Sequence, residues 1–449
     1  MRSGALVAWC GLLLAVSGVV GAVVLRRRSP RWFWVLLGFP VCRVRMARTW
    51  RALCVECGLT TSKRPGRAIV GDLVVRGEAV RPVVPRLWVG LPRWFGVVAR
   101  VRLLPGQTPE VYAAAGEAMA HAWRVHGVRV SSPRRGLVVL TVTVNDPLSR
   151  VISRADPDRA PDGWGRGAGL LERVRPAGAL SLALTVGVRA DGRAWVLDLR
   201  RVPHWLITGA TRSGKSTLIH AAVVRLAPLP VALVGIDLKG GMELAPYGPR
   251  LSALATTRDE AAGLLGALVD LVLGRMEACR LAGVRSVWDL PEVPPAVVVI
   301  VDEVAELYLV GDKAQRDARD RSASALLRLA QLGAALGVHL LIGGQRVGSD
   351  LGQGLTALRA QLGGRVCHHV ADPETAVMTL GDVFPDAVDA AQLITPDQAG
   401  CAVTTDGAGS WVRARSTYTT PDEAAAVARR FAHLAPALPG IVYDAVGGR

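Results

Sequence analysis

Cysteines are scarce in this sequence, and their spacing excludes the usual zinc-binding patterns. Seven cysteines occur in 449 residues, and only Cys54 and Cys57 form a CxxC pair. A structural zinc ion needs four ligands, and no second Cys/His pair stands nearby. His368 and His369 lie in an apolar run with no carboxylate at metal-ligand spacing, so we interpret them as packing residues. The cysteines are therefore expected to be reduced thiols of a cytosolic protein.

Acidic residues are also few relative to basic ones. The chain has 37 acidic and 54 basic residues, which gives a net charge of +17. Residues 1–100 hold sixteen arginines and one lysine but three acidic residues, so most of the excess is N-terminal. Such a balance favours polyanionic partners, which means nucleic acid or an anionic membrane surface. Internal repeats and heptad runs are absent, which argues against solenoids and long coiled coils.

The first long hydrophobic run predicts a membrane anchor. Ala5–Leu25 is 21 residues without a charge, and a helix of that length spans roughly 30 Å, the thickness of a bilayer's hydrocarbon core. Arg26, Arg27 and Arg28 follow it, whereas only Arg2 precedes it. The positive-inside rule therefore places the bulk of the chain in the cytoplasm. A cleaved signal peptide is the alternative, and the length and basic end of the run argue against it.

A second apolar stretch, Trp32–Cys42, is too short to span a bilayer. It has 11 residues and contains Pro40. We expect it to lie in the membrane interface, with its aromatic side chains at headgroup depth. A second spanning helix is the alternative, but it would leave Arg26–Arg31 on the outer side.

Composition and periodicity divide the chain into five regions. We expect a membrane anchor at residues 1–42, a basic linker at 43–90, a small α/β subdomain at 91–180, an α/β domain with a parallel sheet at 181–415 and a C-terminal tail at 416–449. The subdomain is predicted as a β-α-β unit because two alternating runs flank an alanine-rich helical stretch. The larger domain is predicted from continuous apolar strands that alternate with helices. Its candidate strands are Trp205–Thr208, Val231–Ile236, Ala296–Val301, Val338–Ile342 and Arg365–Val370.

A phosphate-binding loop follows the first strand of the larger domain. The segment HWLITGATRSGKST contains the pattern G-x4-G-K-[ST] between a strand and a helix. Glycines let backbone amides wrap phosphates, and the helix N-terminus adds positive potential. Lys215 is expected to reach the β- and γ-phosphates, and Ser216 to offer a hydroxyl to Mg²⁺. The predicted nucleotide-binding residues are Gly209, Ala210, Thr211, Arg212, Ser213, Gly214, Lys215, Ser216 and Thr217.

Two acidic residues end a later strand of the same domain. Asp302 and Glu303 follow an apolar run, and parallel sheets bind ligands at the carboxyl ends of their strands. We predict that Asp302 completes the Mg²⁺ shell and that Glu303 polarises the attacking water; the alternative is that both cap the next helix. Gln345, at the end of the fourth strand, is either a γ-phosphate sensor or an ordinary loop residue. These residues predict hydrolysis of a nucleoside triphosphate, although they do not by themselves choose adenine over guanine.

Several linked motifs resemble the FtsK/SpoIIIE family of DNA-pumping ATPases. The segments VPHWLITGATRSGKS, VGIDLKGGMELAPY, VVVIVDEVAEL and LAQLGAALGVHLLIGGQR are similar to successive family motifs. The resemblance implies a RecA-like P-loop ATPase motor that uses ATP and Mg²⁺ and surrounds double-stranded DNA as a homo-hexamer. It also implies an arginine finger from a neighbouring subunit, for which Arg365 is the first candidate and Arg346 the second.

The departures from the family pattern bear on function. Arg212 stands where the family usually has glycine, and Val347 where it usually has proline. After Arg415 the sequence has 34 residues, too few for the winged-helix module that reads DNA orientation in large septal members. Sequence-directed steering is therefore not expected, and the compact format resembles the transfer proteins of mobile elements.

The resulting hypothesis is a membrane-anchored ATPase that moves double-stranded DNA, with mobile-element or plasmid DNA passing between cells. A septal chromosome-segregation pump would use the same chemistry. A secretion-type protein motor would be favoured by tandem ATPase modules, and the sequence has one. A membrane-tethered DNA-binding regulator without turnover is disfavoured by the intact Lys215, Asp302 and Glu303.

Overall fold

The computed structural model describes residues 21–62, 82–93, 96–153, 181–309, 315–348, 353–381, 384–405 and 409–441, apart from residues 22, 26, 27, 145, 147 and 150. The chain divides into two units, Met1–Pro147 and Leu148–Arg449. Of the predicted span Ala5–Leu25, residues 5–20 and 22 lie outside the described residues. Within the described part of the chain, no helix combines the length and the apolar character that crossing a bilayer requires.

The N-terminal unit combines a long helix with an antiparallel sheet. Its helices are α1 (Pro30–Phe33), α2 (Phe39–Glu56), α3 (Pro109–Ala114) and α4 (Gly116–Trp123), with a π-helical turn at Trp34–Gly38. Its strands are β1 (Thr61–Ser62), β2 (Pro82–Val83), β3 (Leu87–Arg93), β4 (Gly96–Arg102), β5 (Gly127–Arg134) and β6 (Leu137–Thr143). The main sheet has the order β3-β4-β6-β5 and is antiparallel throughout. The predicted β-α-β unit is thus part of a larger sheet, in which β5 and β6 form a hairpin after the helices.

Helix α2 occupies residues for which we expected the start of a basic linker. Cys42, Met46, Trp50 and Cys54 recur at every fourth residue and are buried, as expected for one face of a helix. They belong to one core with the apolar residues of β4 and β6. Arginines stand between these positions, so the average composition of the segment does not show the four-residue spacing of its apolar residues. The linker prediction relied on the average charge of the segment. The structure differs from it because the apolar residues lie on one helical face, and that face is buried.

Trp34 divides the segment that we expected to lie in the membrane interface. Its indole Nε1 donates to the carbonyl of Arg93 at 2.6 Å, and its side chain is buried in the core of the N-terminal unit. Trp32, Leu36 and Val41 remain exposed. The segment is therefore partly protein core and partly apolar surface.

The C-terminal unit is an α/β domain. Its helices are α5 (Lys215–Leu226), α6 (Arg258–Leu281), α7 (Val304–Tyr308), α8 (Arg316–Leu332), α9 (Gln353–Gln361), α10 (Pro373–Ala376), α11 (Pro385–Gln392) and α12 (Pro421–Arg430). Its strands are β7 (Ile152–Ser153), β8 (Ala183–Arg189), β9 (Ala194–Asp198), β10 (His204–Thr208), β11 (Ala232–Ile236), β12 (Ala253–Ala255), β13 (Val297–Val301), β14 (Val338–Gly344), β15 (Gly364–His368), β16 (Cys401–Thr405) and β17 (Trp411–Tyr418). Shorter 3-10 turns lie at Ala245–Arg250, Val287–Asp289 and Ala432–Leu434, and a π-helical turn at Val377–Gly381.

The strands of this unit form one mixed sheet. Its order is β12-β11-β13-β14-β10-β15-β16-β17-β8-β9, and β7 adds to β17. The strands from β12 to β15 are parallel, as the sequence predicted. The strands from β16 to β9 continue the sheet antiparallel, so the expected purely parallel sheet is correct for one half only. Hairpins such as β8–β9 allow this, because antiparallel neighbours need only a short turn.

The predicted C-terminal tail is part of this domain. The expected boundary after Arg415 falls inside β17, and α12 follows with Ala424 and Ala428 buried. These alanines share a core with residues of β10 and α5. The capping box of α12, in which Thr420 and Glu423 bond each other's backbone amides, fixes its start.

Sheet topology brings the three predicted site segments to one edge. Strands β13, β14 and β10 are adjacent and parallel, so their carboxyl ends point the same way. The phosphate loop follows β10, Asp302 follows β13, and Gln345 follows β14. A ligand at this edge can therefore touch all three segments.

Candidate nucleotide site

The phosphate loop turns directly from the end of β10 into α5. Arg212 has a φ of 64° and Gly214 a φ of 114°, so the backbone passes twice through the left-handed region that favours glycine. The first helical residue is Lys215, and Gly214 is the N-cap. The amides of the first turn of α5 therefore begin at the loop, as phosphate binding requires.

Two neighbouring segments hold this turn in place through backbone hydrogen bonds. The Gly400 amide donates to the Ser213 carbonyl at 2.8 Å, and the Ala210 amide donates to the His369 carbonyl at 2.9 Å. A Cβ on Gly214 would overlap the backbone of Gly400. Glycine at 214 is thus required by both its φ and its neighbour.

Lys215 and the two acidic residues form a buried charge cluster. The Lys215 Nζ donates to the carbonyl of Asp302 at 2.7 Å, and it lies 3.6 Å from Asp302 Oδ1 and 3.4 Å from Glu303 Oε2. All three side chains are less than a tenth exposed. The two oxygens of the Glu303 carboxylate also accept hydrogen bonds from the backbone amide of Gln345, at 3.0 and 3.1 Å. The cluster therefore holds both carboxylates in fixed directions beside the phosphate loop.

A second lysine reaches the same cluster from the loop after β11. The Lys239 Nζ lies 3.8 Å from Glu303 Oε2. Asp237 shapes this loop, because its carboxylate accepts from the amides of Lys239, Glu243 and Leu244 at 3.1, 2.8 and 3.1 Å. The motif DLKGGMEL thus supplies both the carboxylate of Asp237, which holds the loop, and the positive charge of Lys239.

A cavity of about 740 Å³ opens over these residues, within the size range of small-molecule sites. Ser216 and Thr217 line it together with the phosphate loop and Gln345. Positive side chains outnumber negative ones around it, which suits an anion. Its charged lining residues are Arg212, Lys215, Lys239, Arg415, Glu243 and Asp302.

The carboxylates beside the phosphate loop would repel a bare polyphosphate. Ser216 and Asp302 both line the cavity, and one carboxylate, one hydroxyl and phosphate oxygens are the usual ligands of Mg²⁺ in such sites. Among the described residues, no three His, Cys, Asp or Glu side chains cluster as a metal site. The donor set therefore fits a cation that arrives with a nucleotide.

His368 lies under the phosphate loop, where the sequence suggested a packing residue. Its Nδ1 is 3.0 Å from the carbonyl of Cys401, and its side chain is fully buried. Burial, opposed by the bond with the Cys401 carbonyl and assisted by the nearby charge of Lys215, lowers the pKa of His368 to about 4. The imidazole is therefore neutral at pH 7.

The two arginine candidates occupy different surroundings. Arg365 is 3% exposed, and its guanidinium donates to the carbonyl of Arg359 at 2.7 Å. It lies at the start of β15, at the opposite sheet edge from the phosphate loop. Arg346 is exposed and lines a cavity of about 610 Å³ beside the phosphate loop. The structure thus keeps Arg365 within its own subunit and presents Arg346 at the surface.

Several lining residues were not singled out from the sequence as site residues. Arg415, Tyr418, Gly400 and Val151 line the nucleotide cavity. Gly400 immediately precedes β16, Arg415 and Tyr418 lie on β17, and Val151 immediately precedes β7, so all four are far from the phosphate loop along the chain. Only the pairing of β17 with β7 and β16 brings them together, and the sequence carries no local signal for it.

Two known families match successive parts of the chain. Residues 22–144 match the N-terminal domain of actinomycete conjugal transfer proteins. Residues 175–293 and 288–349 match the FtsK/SpoIIIE family. The first match covers most of the described N-terminal unit, and the second contains the phosphate loop and the acidic pair.

Curated relatives resemble the chain over different lengths. Transfer protein TraSA of Streptomyces ambofaciens is 40% identical over 412 residues, which cover 89% of this chain and 94% of TraSA. A sporulation regulatory protein of Streptomyces azureus is 54% identical over 243 residues, 54% of this chain and 80% of that protein. DNA translocase SftA of Bacillus subtilis is 34% identical over 206 residues, 42% of this chain and 21% of SftA.

Among solved structures, the pCW3 conjugation coupling protein TcpA with ATPγS has a similar fold. The TM-score is 0.51 at 19% sequence identity, and the alignment covers 76% of this chain and 91% of TcpA. At this identity the likeness concerns the fold alone.

Proposed function

Since the chain belongs to the FtsK/SpoIIIE family, which confirms the resemblance drawn from its motifs, we propose that it is a membrane-anchored motor that couples ATP hydrolysis to movement of double-stranded DNA between cells. The N-terminal match to conjugal transfer proteins and the likeness to TraSA over nearly its whole length support transfer as the setting. SftA, a DNA translocase, supports DNA as the cargo.

The observation that carries the proposal is the cluster of Lys215, Asp302 and Glu303 beside the phosphate loop. Lys215 would contact the β- and γ-phosphates of ATP. Ser216 and Asp302 would hold Mg²⁺, which neutralises phosphate charge when it is bound. Glu303, oriented by the Gln345 amide, would accept a proton from the attacking water. Lys215, Ser216 and Asp302 line the cavity, and Glu303 contacts Lys215 behind it, which supports these roles.

A membrane anchor at Ala5–Leu25 is the second part of the proposal. The support is the uncharged run itself and the arginines that follow it. The exposed apolar side chains of Trp32, Leu36, Leu37 and Val41 continue this character into the described part of the chain. Such a surface beside arginines suits contact with anionic lipid.

A homo-hexameric ring around the duplex is the third part. The cluster of Lys215, Asp302 and Glu303 contains no arginine, and family motors take one from a neighbouring subunit. Arg346 at the subunit surface could supply that charge to a neighbour. Contacts with the DNA would be mainly to phosphates, and therefore salt-dependent and tolerant of sequence.

The test is the effect of duplex DNA on ATP hydrolysis by the full chain in detergent. We expect linear double-stranded DNA to stimulate hydrolysis, and Lys215→Ala to lose nucleotide binding or turnover with or without DNA. A truncation near residue 60 is unsuitable, because it removes α2 from the N-terminal core. Hydrolysis that is indifferent to DNA would contradict the translocase proposal and favour a protein-secretion motor.

A further inference from the structure

Two uncharged side chains line the nucleotide cavity together with the phosphate loop. They are Tyr418 and Val151, which are 47% and 60% exposed. The cation Arg415 lines the same cavity. The cavity therefore adds an aromatic and an aliphatic surface to a polyanion site.

Backbone contacts tie the strand that carries Tyr418 to the phosphate loop. The Ser416 amide donates to the Gly400 carbonyl at 2.9 Å, and the Gly400 amide donates to the Ser213 carbonyl at 2.8 Å. Tyr418 stands two residues beyond Ser416 on the same strand. The backbone near Tyr418 is thus linked to the phosphate loop through two hydrogen bonds.

The segment that carries Val151 is held by β17 as well. Strand β7 pairs with β17 in parallel, with Ile152 opposite Thr417 and Ser153 opposite Tyr418. The guanidinium of Arg415 donates to the carbonyl of Leu148 at 2.6 Å and to that of Ala399 at 2.9 Å. This register, continued by one residue, places Val151 beside Ser416, two residues before Tyr418 on β17.

We propose that Tyr418 and Val151 form the seat of the purine base of ATP. A purine has two flat apolar faces, and an aromatic ring or a branched aliphatic side chain is the surface on which such a face stacks. With the triphosphate held by Lys215 and the loop amides, the base would lie against these two side chains of the same cavity. The inference rests on ATP as the nucleotide and assigns a specificity-determining role to two residues outside the phosphate motif.

The experiment compares two probes on the full chain: ATP and inorganic tripolyphosphate, each with Mg²⁺ and without DNA. Tripolyphosphate carries the phosphate chain but no base. We expect Tyr418→Ala to weaken ATP binding about ten-fold, the size of one lost base–aromatic stack, and to leave tripolyphosphate binding unchanged. Tyr418→Phe keeps the ring and is expected to keep both affinities.

Further variants separate the base seat from general damage. Val151→Ser removes the branched apolar surface without adding a charge and is expected to weaken ATP binding but not tripolyphosphate binding. Leu393→Ala, at a 74% exposed apolar position outside the cavity, is the matched control and is expected to change neither.

Equal loss of both probes in Tyr418→Ala, unchanged ATP binding in Tyr418→Ala, or loss of ATP binding in Tyr418→Phe would each overturn the proposal. These outcomes are independent of the translocase test. A chain whose hydrolysis ignores DNA but whose ATP binding depends on the Tyr418 ring would contradict DNA movement and leave the base seat standing.

Discussion

At the scale of single residues, Glu303 is the side chain for which the proposed mechanism makes the sharpest prediction. Two roles compete for it: a structural partner of Lys215, and the group that activates water. Its carboxylate accepts two contacts from the Gln345 amide and lies 3.4 Å from Lys215. A glutamine has nearly the same shape and keeps an acceptor oxygen, but it cannot take up a proton. The substitution therefore separates the two roles.

We expect Glu303→Gln to bind ATP and to lose hydrolysis by about 10²–10⁴-fold, the usual contribution of a general base. ATP binding and steady-state hydrolysis of the same preparation check this. Glu306→Gln is the matched control, because Glu306 lies on α7 and pairs with Arg258 outside the cavity. Unchanged hydrolysis in Glu303→Gln would remove Glu303 from the mechanism.

The phosphate loop could be predicted from the sequence because its residues are contiguous and their spacing is fixed by the ligand. Arg212 could be recognised as a departure, and its φ of 64° explains why glycine is usual there. Tyr418 and Val151 could not be predicted as site residues, because their meeting depends on the pairing of strand residues that are 265 positions apart in the chain. Site residues that are contiguous in the chain can be predicted from the sequence, whereas site residues that are brought together by strand pairing cannot.

At the scale of elements, strands were easier to predict than the helix α2. The parallel strands are continuous apolar runs because helices cover both faces, and a run of one character is visible in any window. Helix α2 buries one residue in four between arginines, so its average composition resembles a linker. The four-residue spacing of the buried side chains indicates the helix, whereas the average composition of the segment does not.

Strands β10 and β14 also bury two histidines near their first residues. His204 and His339 are both about 2% exposed or less. Burial lowers the pKa of His204 to about 4, and burial followed by the charges of His204, Arg200 and Arg275 lowers that of His339 to about 3. Trp288 stacks on His339 at 6.3 Å. Both imidazoles are therefore neutral in the folded domain and become protonated more readily on unfolding.

We expect the folded domain to lose stability as the pH falls from about 6.5 toward 4, because the unfolded chain then binds more protons. At pH 5, His339 alone lowers the free energy of unfolding by about 2 kcal/mol relative to pH 8, given its pKa of about 3. His339→Leu should make the pH dependence of denaturant unfolding shallower by this amount. His433→Leu, at an exposed histidine, is the control; an identical slope in both variants would contradict the assignment.

At the scale of the whole molecule, the proposed ring requires each site to be completed by a neighbour. Head-to-tail contacts between identical subunits close into rings, so an arginine that one subunit offers to its neighbour must be exposed on the free subunit. Arg346 meets that condition, whereas Arg365 is bonded within its own subunit. We therefore rank Arg346 before Arg365 as the arginine finger, in reverse of the order that the resemblance implied.

Mixing inactive subunits distinguishes the two arginines. A Lys215→Ala subunit cannot hold ATP but still offers Arg346 to its neighbour, and an Arg346→Ala subunit holds ATP but offers no arginine. Each variant alone is expected to lose about 10³-fold or more in DNA-stimulated hydrolysis, the usual effect of a missing finger or phosphate-loop lysine. Their mixture is expected to recover part of the activity, because some interfaces then combine an intact loop with an intact arginine. A mixture of Lys215→Ala and Glu303→Gln is the control, since both defects lie in the same half-site and no interface can be whole. Recovery with Arg365→Ala subunits but not with Arg346→Ala subunits would return the role to Arg365 and would require β15 to release that side chain when the ring forms.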